Sequence, residues 1–230
     1  MPYVYRRTPF ATSEPVFVIG DECDDTHPGA RDIGFYELVW DMQVFAVEGG
    51  TVVELVRVPD CFSQKISDTE AIPVDCLTAN YIAVRGNDGF YTEYAHVLSR
   101  NDLRVGSQVQ AGELLGTVDN SGYTSGPHVH FARFAPNPNN PNVVNRENWV
   151  CDWEMIGLVP SSTRGWIQYN NGNWYYFGNN GRPLRGGWQL GDDGINLYQL
   201  DDITGAWTGW AYSPPNRRCY FRGVAGPCPQ

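Results

Sequence analysis

Residues 42–58 read MQVFAVEGGTVVELVRV, a run dense in valine and phenylalanine and split by Gly49 and Gly50. β-Branched and aromatic side chains fit a pleated strand and glycine punctuates it, so the stretch reads as β structure. The same pattern extends outward. VFVIG (16–20) lies upstream, and NYIAVRG (80–86), FYTEYAHVL (90–98) and HVHFARF (128–134) lie downstream, each bordered by Gly, Asn or Asp. With 13 Tyr, 8 Trp, 25 Gly and 16 Pro in 230 residues, the composition favours many short strands over long helices. An all-β protein is predicted, an antiparallel β-sheet domain followed by a small β-hairpin module.

A formal charge of -10 leaves no sequence-wide basic field to neutralise phosphates, so nucleic acid is not an expected partner. No apolar run reaches the ~20 residues of a membrane helix, and the first twenty residues lack the apolar run of a signal peptide. The six cysteines, Cys23, Cys61, Cys76, Cys151, Cys219 and Cys228, contain no CxxC pair, which argues for disulfides over zinc thiolates and for an oxidising compartment. Connectivity is open on sequence alone. Cys61 with Cys76 brackets one excursion and Cys219 with Cys228 closes a tail loop, leaving Cys23 with Cys151.

The stretch 135–148, APNPNNPNVVNREN, carries Pro and Asn at a density that reads as a long surface loop. Composition changes across GLVPSST (157–163), which places a domain boundary there, with domains 1–157 and 158–230. Beyond it lies an internal repeat. Trp166, Trp188 and Trp210, each preceded by glycine, recur every 22 residues, as do Tyr176, Tyr198 and Tyr220. About two and a half copies of one β-hairpin with an aromatic face are predicted.

All four histidines sit in suggestive places. His128 and His130 belong to SGPHVHFARF (125–134), where strand geometry sends residues i and i+2 to one face. In such a pair one imidazole can bind a metal while the other handles protons. His27 precedes Asp32 in THPGARD (26–32), with Pro28 and Gly29 making a turn that brings a nitrogen and a carboxylate toward one ion; such N and O ligands suit Zn²⁺. His96 follows a Tyr-rich strand. Taken singly, each is as readily a packed or surface histidine.

Together, THPGARD, YAHVL and SGPHVHF supply in order the motifs of the lysostaphin-type zinc metalloendopeptidases that cut peptidoglycan, and residues 15–134 resemble that family. VFAVEGGTVVEL (44–55) looks like its strand-turn-strand, and the run from Val105 to the last motif looks like its glycine-punctuated approach. Three departures stand out: the five-residue step from His27 to Asp32, an insertion SDTEAIPVDCLT (67–78), and DNSG (119–122) where Gly-x-Thr/Ser-Gly is more usual. The resemblance implies that His27, Asp32 and His130 are zinc ligands. It also implies that His96 and His128 are the unliganded catalytic pair, acting on a water at the metal's open position.

The tail GWIQYNNGNWYYFGNNGRPLRGGW (165–188) is similar to choline-binding and, more loosely, glucan-binding repeats. That similarity implies an aromatic cage for a quaternary ammonium, built from Trp166, Trp174, Trp188 and Tyr198. Asn196 stands where a second cage would need the counterpart of Trp174. Carbohydrate stacking is the other ligand class, and a hairpin core the bland alternative. The expectation is a monomeric, secreted or wall-associated zinc endopeptidase, or a phage lysin, that cuts peptidoglycan stem or cross-bridge peptides and is carried to the wall by its tail. The alternative is a non-catalytic wall-binding or regulatory protein that keeps the fold; retention of all five motif residues separates the two.

Overall fold

The structure, a computed structural model, describes residues 2–20, 23, 27 and 29–229. Pro28, half of the turn expected between His27 and Asp32, lies outside the described residues. Strands joined by turns make up the regular structure and no helix occurs among the described residues, as the Val, Tyr and Gly patterning predicts. None is therefore available to cross a membrane. The chain divides into two compact units, one of residues 1–12 and 18–158, the other of 13–17 and 159–230.

In the first unit six antiparallel strands lie side by side in the order Gln108–Val109, Gly50–Val56, Tyr81–Gly86, Tyr91–Ala95, Val129–Phe134 and Ala30–Gly34. A smaller antiparallel sheet joins Val97–Ser99, Leu114–Val118 and Gln43–Phe45. Tyr3–Tyr5 pairs in parallel with Trp153–Met155. Alternation along Val129–Phe134 divides the residues between faces. Val129 and Phe131 are fully buried, and the Phe131 ring meets Tyr5, Tyr94 and Trp153 edge-on at 5.1–5.3 Å. Aromatic packing of this kind, worth ~0.5–1.5 kcal/mol per pair beyond its area, anchors the strand from behind.

The opposite face carries the chemistry. Register places Tyr81, Ala95, His130 and Asp32 in one cross-strand row, and Glu54, Ala83, Glu93, Ala132 and Ala30 in the next. Over the second row folds the 135–148 loop, whose Val144 is buried among Ala30, Ala83, Ala132 and Phe134. The loop is therefore only partly a surface feature: one apolar side chain anchors it to the sheet, leaving the first row open.

All three cysteine pairs, Cys23–Cys151, Cys61–Cys76 and Cys219–Cys228, are disulfides. The second closes the inserted segment. Ser63, inside that disulfide loop and just ahead of the insertion, donates from Oγ to the Gly122 carbonyl at 2.7 Å, and its carbonyl accepts the Asn120 amide at 2.5 Å.

In the second unit Gly165–Gln168 and Trp174–Phe177 form a hairpin. Trp188–Leu190, Leu197–Leu200, Trp207–Ser213, Arg218–Phe221 and Val224–Gly226 form an antiparallel meander. Residues 13–17 join this unit through Asn171, whose amide donates to the Ser13 carbonyl at 2.8 Å, and Tyr175, whose hydroxyl donates to Glu14 at 3.4 Å. The copies differ in register. Trp166 lies directly across from Tyr176, but Trp188 lies across from Gln199 and Tyr198 across from Gln189. Because side chains alternate, this one-residue slip sends Trp188 and Tyr198 to opposite faces.

Candidate active site

Asp32 reaches the site by pairing opposite His130, and His27 precedes the same strand. His27 Nε2 and His130 Nδ1 each lie 3.1 Å from Asp32 Oδ1. The three potential donor atoms fall within 4.8 Å of one another. Ligands ~2.0–2.1 Å from a tetrahedral Zn²⁺ stand roughly 3.3 Å apart, so two imidazoles and a carboxylate at this spacing fit such an ion. Burial alone would push the Asp32 carboxyl up. The hydrogen bonds with His130 and His27 and the neighbouring His128 outweigh it and hold the group well below the usual carboxylate range, so an anionic ligand is available at neutral pH.

His96 and His128 pack beside the triad with ring centroids 4.5 Å apart. His128 Nε2 is 3.6 Å from Asp32 Oδ2. Burial first, then the neighbouring His128, lowers the His96 pKa to about 3, and burial likewise lowers that of His128. Both rings are therefore neutral near pH 7. His96 Nδ1 lies 2.7 Å from the Ser121 carbonyl and His128 Nδ1 2.9 Å from the Gly126 carbonyl. A carbonyl only accepts, so each ring carries its proton on Nδ1 and keeps Nε2 as a proton acceptor.

The five residues share a cleft of about 730 Å³ with Leu77, Tyr81, Glu93, Tyr123 and Arg146, among others. Arg146 bonds Glu93, reaches Glu54 at 3.0 Å and lies 4.8 Å above the Tyr81 ring. Sequence reading misses this wall because Arg146 comes from the Asn- and Pro-rich loop and Glu93 from a strand read only as a carrier of His96. Gly20 is a second omission. A Cβ there would lie 2.6 Å from Asp32 Oδ2, so only glycine leaves the carboxylate its place.

In the second unit a pocket of about 270 Å³ is lined by Trp166, Trp174, Tyr198 and Trp207 with Gly191, Asp192 and Asp193. Trp166 meets Tyr198 at 5.5 Å, and Tyr198 meets Trp207 at 5.9 Å. Trp188 is not brought to this pocket; it faces Tyr212 at 6.4 Å on the other side of the sheet. Trp207 takes a place in the lining and lies outside the repeating columns, which is why periodicity does not reveal it. Backbone N–H groups of Asn196 and Ile195 lower the Asp193 pKa, keeping its carboxylate charged beside the rings.

Residues 39–142 match the family model described as peptidase family M23, and residues 165–182 match a putative cell wall binding repeat. The first match takes in His96, His128 and His130 and begins after His27 and Asp32, whose place beside them is thus a matter of geometry. Lysostaphin of Staphylococcus simulans is 34% identical over 100 residues, covering 42% of this chain and 20% of its own length. The glycyl-glycine endopeptidase ALE-1 of Staphylococcus capitis is 37% identical over 54 residues, covering 24% and 15%. The chain thus spans about a fifth or less of these curated relatives. Among solved structures, a zinc containing peptidase from Vibrio cholerae superposes with a TM-score of 0.43 at 16% identity, covering 67% of this chain and 41% of its own. The stretch 39–142, a little under half of the chain, is thus similar to peptidase family M23, and the tail opens with a stretch similar to a putative cell wall binding repeat.

Proposed function

We propose that the first unit is a zinc-dependent endopeptidase acting on peptides of peptidoglycan. The observation that carries this reading is the convergence of His27, Asp32 and His130 beside two neutral histidines in one open cleft. His27, Asp32 and His130 would hold the zinc ion, which when bound would supply Lewis acidity toward a scissile carbonyl and toward a water. His96 and His128 receive the proton of the attacking water at Nε2, stabilise the developing oxyanion and return a proton to the leaving amine. The peptide occupies this cleft, whose lining includes Leu77, Tyr123 and Arg146. Curated relatives include a glycyl-glycine endopeptidase and a peptidoglycan DD-endopeptidase, which supports wall peptides as the substrate class without choosing a bond.

The tail is proposed to carry the enzyme to the wall, which places the protein outside the cell or at the cell surface. Its aromatic pocket beside two acidic residues, with no basic side chain in the lining among the described residues, suits a quaternary ammonium better than a neutral sugar. Metal content and turnover separate the roles at the first unit. His130→Ala should lose zinc, whereas His96→Ala and His128→Ala should retain it and lose ~10²–10⁴-fold in turnover of purified wall. Full zinc occupancy in His130→Ala would remove that residue from the ligand set. Wild-type turnover in either of the others would remove it from proton transfer.

A further inference from the structure

His96 stands where the chain leaves Tyr91–Ala95 for Val97–Ser99, at φ 57°. A non-glycine residue keeps this left-handed conformation only where its surroundings hold it. The His96 carbonyl accepts the Asp119 N–H at 2.9 Å, and the Val97 N–H donates to the Asn80 carbonyl at 3.3 Å. The ring donates from Nδ1 to the Ser121 carbonyl at 2.7 Å. Asp119, Asn80 and Ser121 are all buried, and their side chains are tied to one another.

Asp119 Oδ1 accepts the Ser121 N–H at 3.1 Å and the Ser121 hydroxyl at 2.6 Å, while Oδ2 accepts the Asn80 side-chain amide. Asn80 donates its own N–H to Ser121 Oγ at 2.8 Å, and its Oδ1 accepts the Val58 N–H at 2.6 Å. One carboxyl group therefore sets the direction of the Ser121 carbonyl, and that carbonyl decides which nitrogen of His96 bears the proton. The glycine more usual at position 119 has no side chain with which to do this.

We propose that Asp119, assisted by Asn80, is a positioning residue for His96: by fixing Ser121 it keeps the proton on Nδ1 and leaves Nε2 as the acceptor in the cleft. The proposal rests on the reading of His96 as a proton acceptor in peptide hydrolysis. Asp119→Asn keeps the shape of the side chain but sets an NH₂ donor against the Asn80 amide, and Asp119→Ala removes the tie altogether.

The test is a histidine-directed ¹H–¹⁵N long-range correlation spectrum of the full chain, zinc-loaded and zinc-free, with His96 assigned from His96→Gln. Turnover is followed in parallel on soluble peptidoglycan fragments. The wild type should show the Nδ1–H tautomer. Asp119→Asn should show mixed tautomers and lose about 10–100-fold in kcat, with KM and zinc content little changed. An Nε2–H tautomer in the wild type overturns the proposal, as does an unchanged His96 spectrum in both aspartate variants. Loss of activity through KM or zinc content alone, with the tautomer intact, assigns Asp119 a structural role only and also overturns it. If Asp119→Ala and Asp119→Asn fail to fold, Ser121→Ala decides: it keeps the carbonyl but cuts the hydroxyl tie, and an unshifted His96 spectrum there defeats the proposal. If the tautomer responds as described while His96→Gln itself retains turnover, the positioning stands and the proton-transfer role of His96 falls.

Discussion

The Asp32 carboxylate has its place because residue 20 has no side chain: a Cβ there would stand 2.6 Å from Oδ2. Gly20→Ala should therefore turn the carboxylate away from His27 and His130 and weaken zinc binding about 10–100-fold, the usual effect of disturbing what orients a ligand. Competition with a chromophoric chelator measures this directly, and an affinity equal to wild type would mean that the chain around Gly20 moves aside instead. That one cleft brings together Asp32 and all four histidines is legible in the sequence, because histidine is scarce here and the motifs, taken together, single these residues out. Gly20, Glu93 and Arg146 are not, for physical reasons. A glycine's steric role depends on what comes to face it, and Arg146 meets Glu93 only after a loop with no strand signal has folded back over the sheet.

Strands were readable where valine and aromatics dominate. Ala30–Gly34, with the sequence ARDIG, carries too few of these to stand out, yet it brings Asp32 across from His130. Its place is set by pairing with Val129–Phe134, a long-range partner that local propensity does not encode. The repeat shows the same limit in another form. A period of 22 predicts equivalent tryptophans, but the register slip at Trp188–Leu190 turns Trp188 away and leaves Trp207 to complete the aromatic pocket. Trp207→Ala in the full chain should accordingly weaken binding of free choline by ~0.5–2 kcal/mol, the worth of a cation–π contact. Trp188→Ala should leave it unchanged. Titration calorimetry distinguishes them, and the reverse order of effects would place the cage on the opposite face of the meander.

At the scale of the whole molecule, one unit holds every group proposed to act on a peptide and the other an aromatic, acid-lined pocket with none of them. Such a division gives two separable contributions, chemistry and residence at an insoluble substrate, the second acting through effective concentration. Ending the chain after residue 158 should leave zinc binding and turnover of soluble wall peptides near wild type while clearing of intact cells falls. Residues 13–17 complicate the cut, because their partners Asn171 and Tyr175 leave with the tail, so this stretch should become the first site of proteolysis in the shortened chain. Competition then identifies what the tail holds. Millimolar choline should release the full chain from walls and reduce clearing to the level of the shortened chain, without touching soluble turnover. Release by soluble glycan and not by choline would make the pocket a sugar-stacking surface, with Asp192 and Asp193 accepting hydroxyl donors instead of facing a cation. If the full and shortened chains clear cells equally well, the repeats contribute no targeting, and their rings serve only to pack hairpins that have little else to bury.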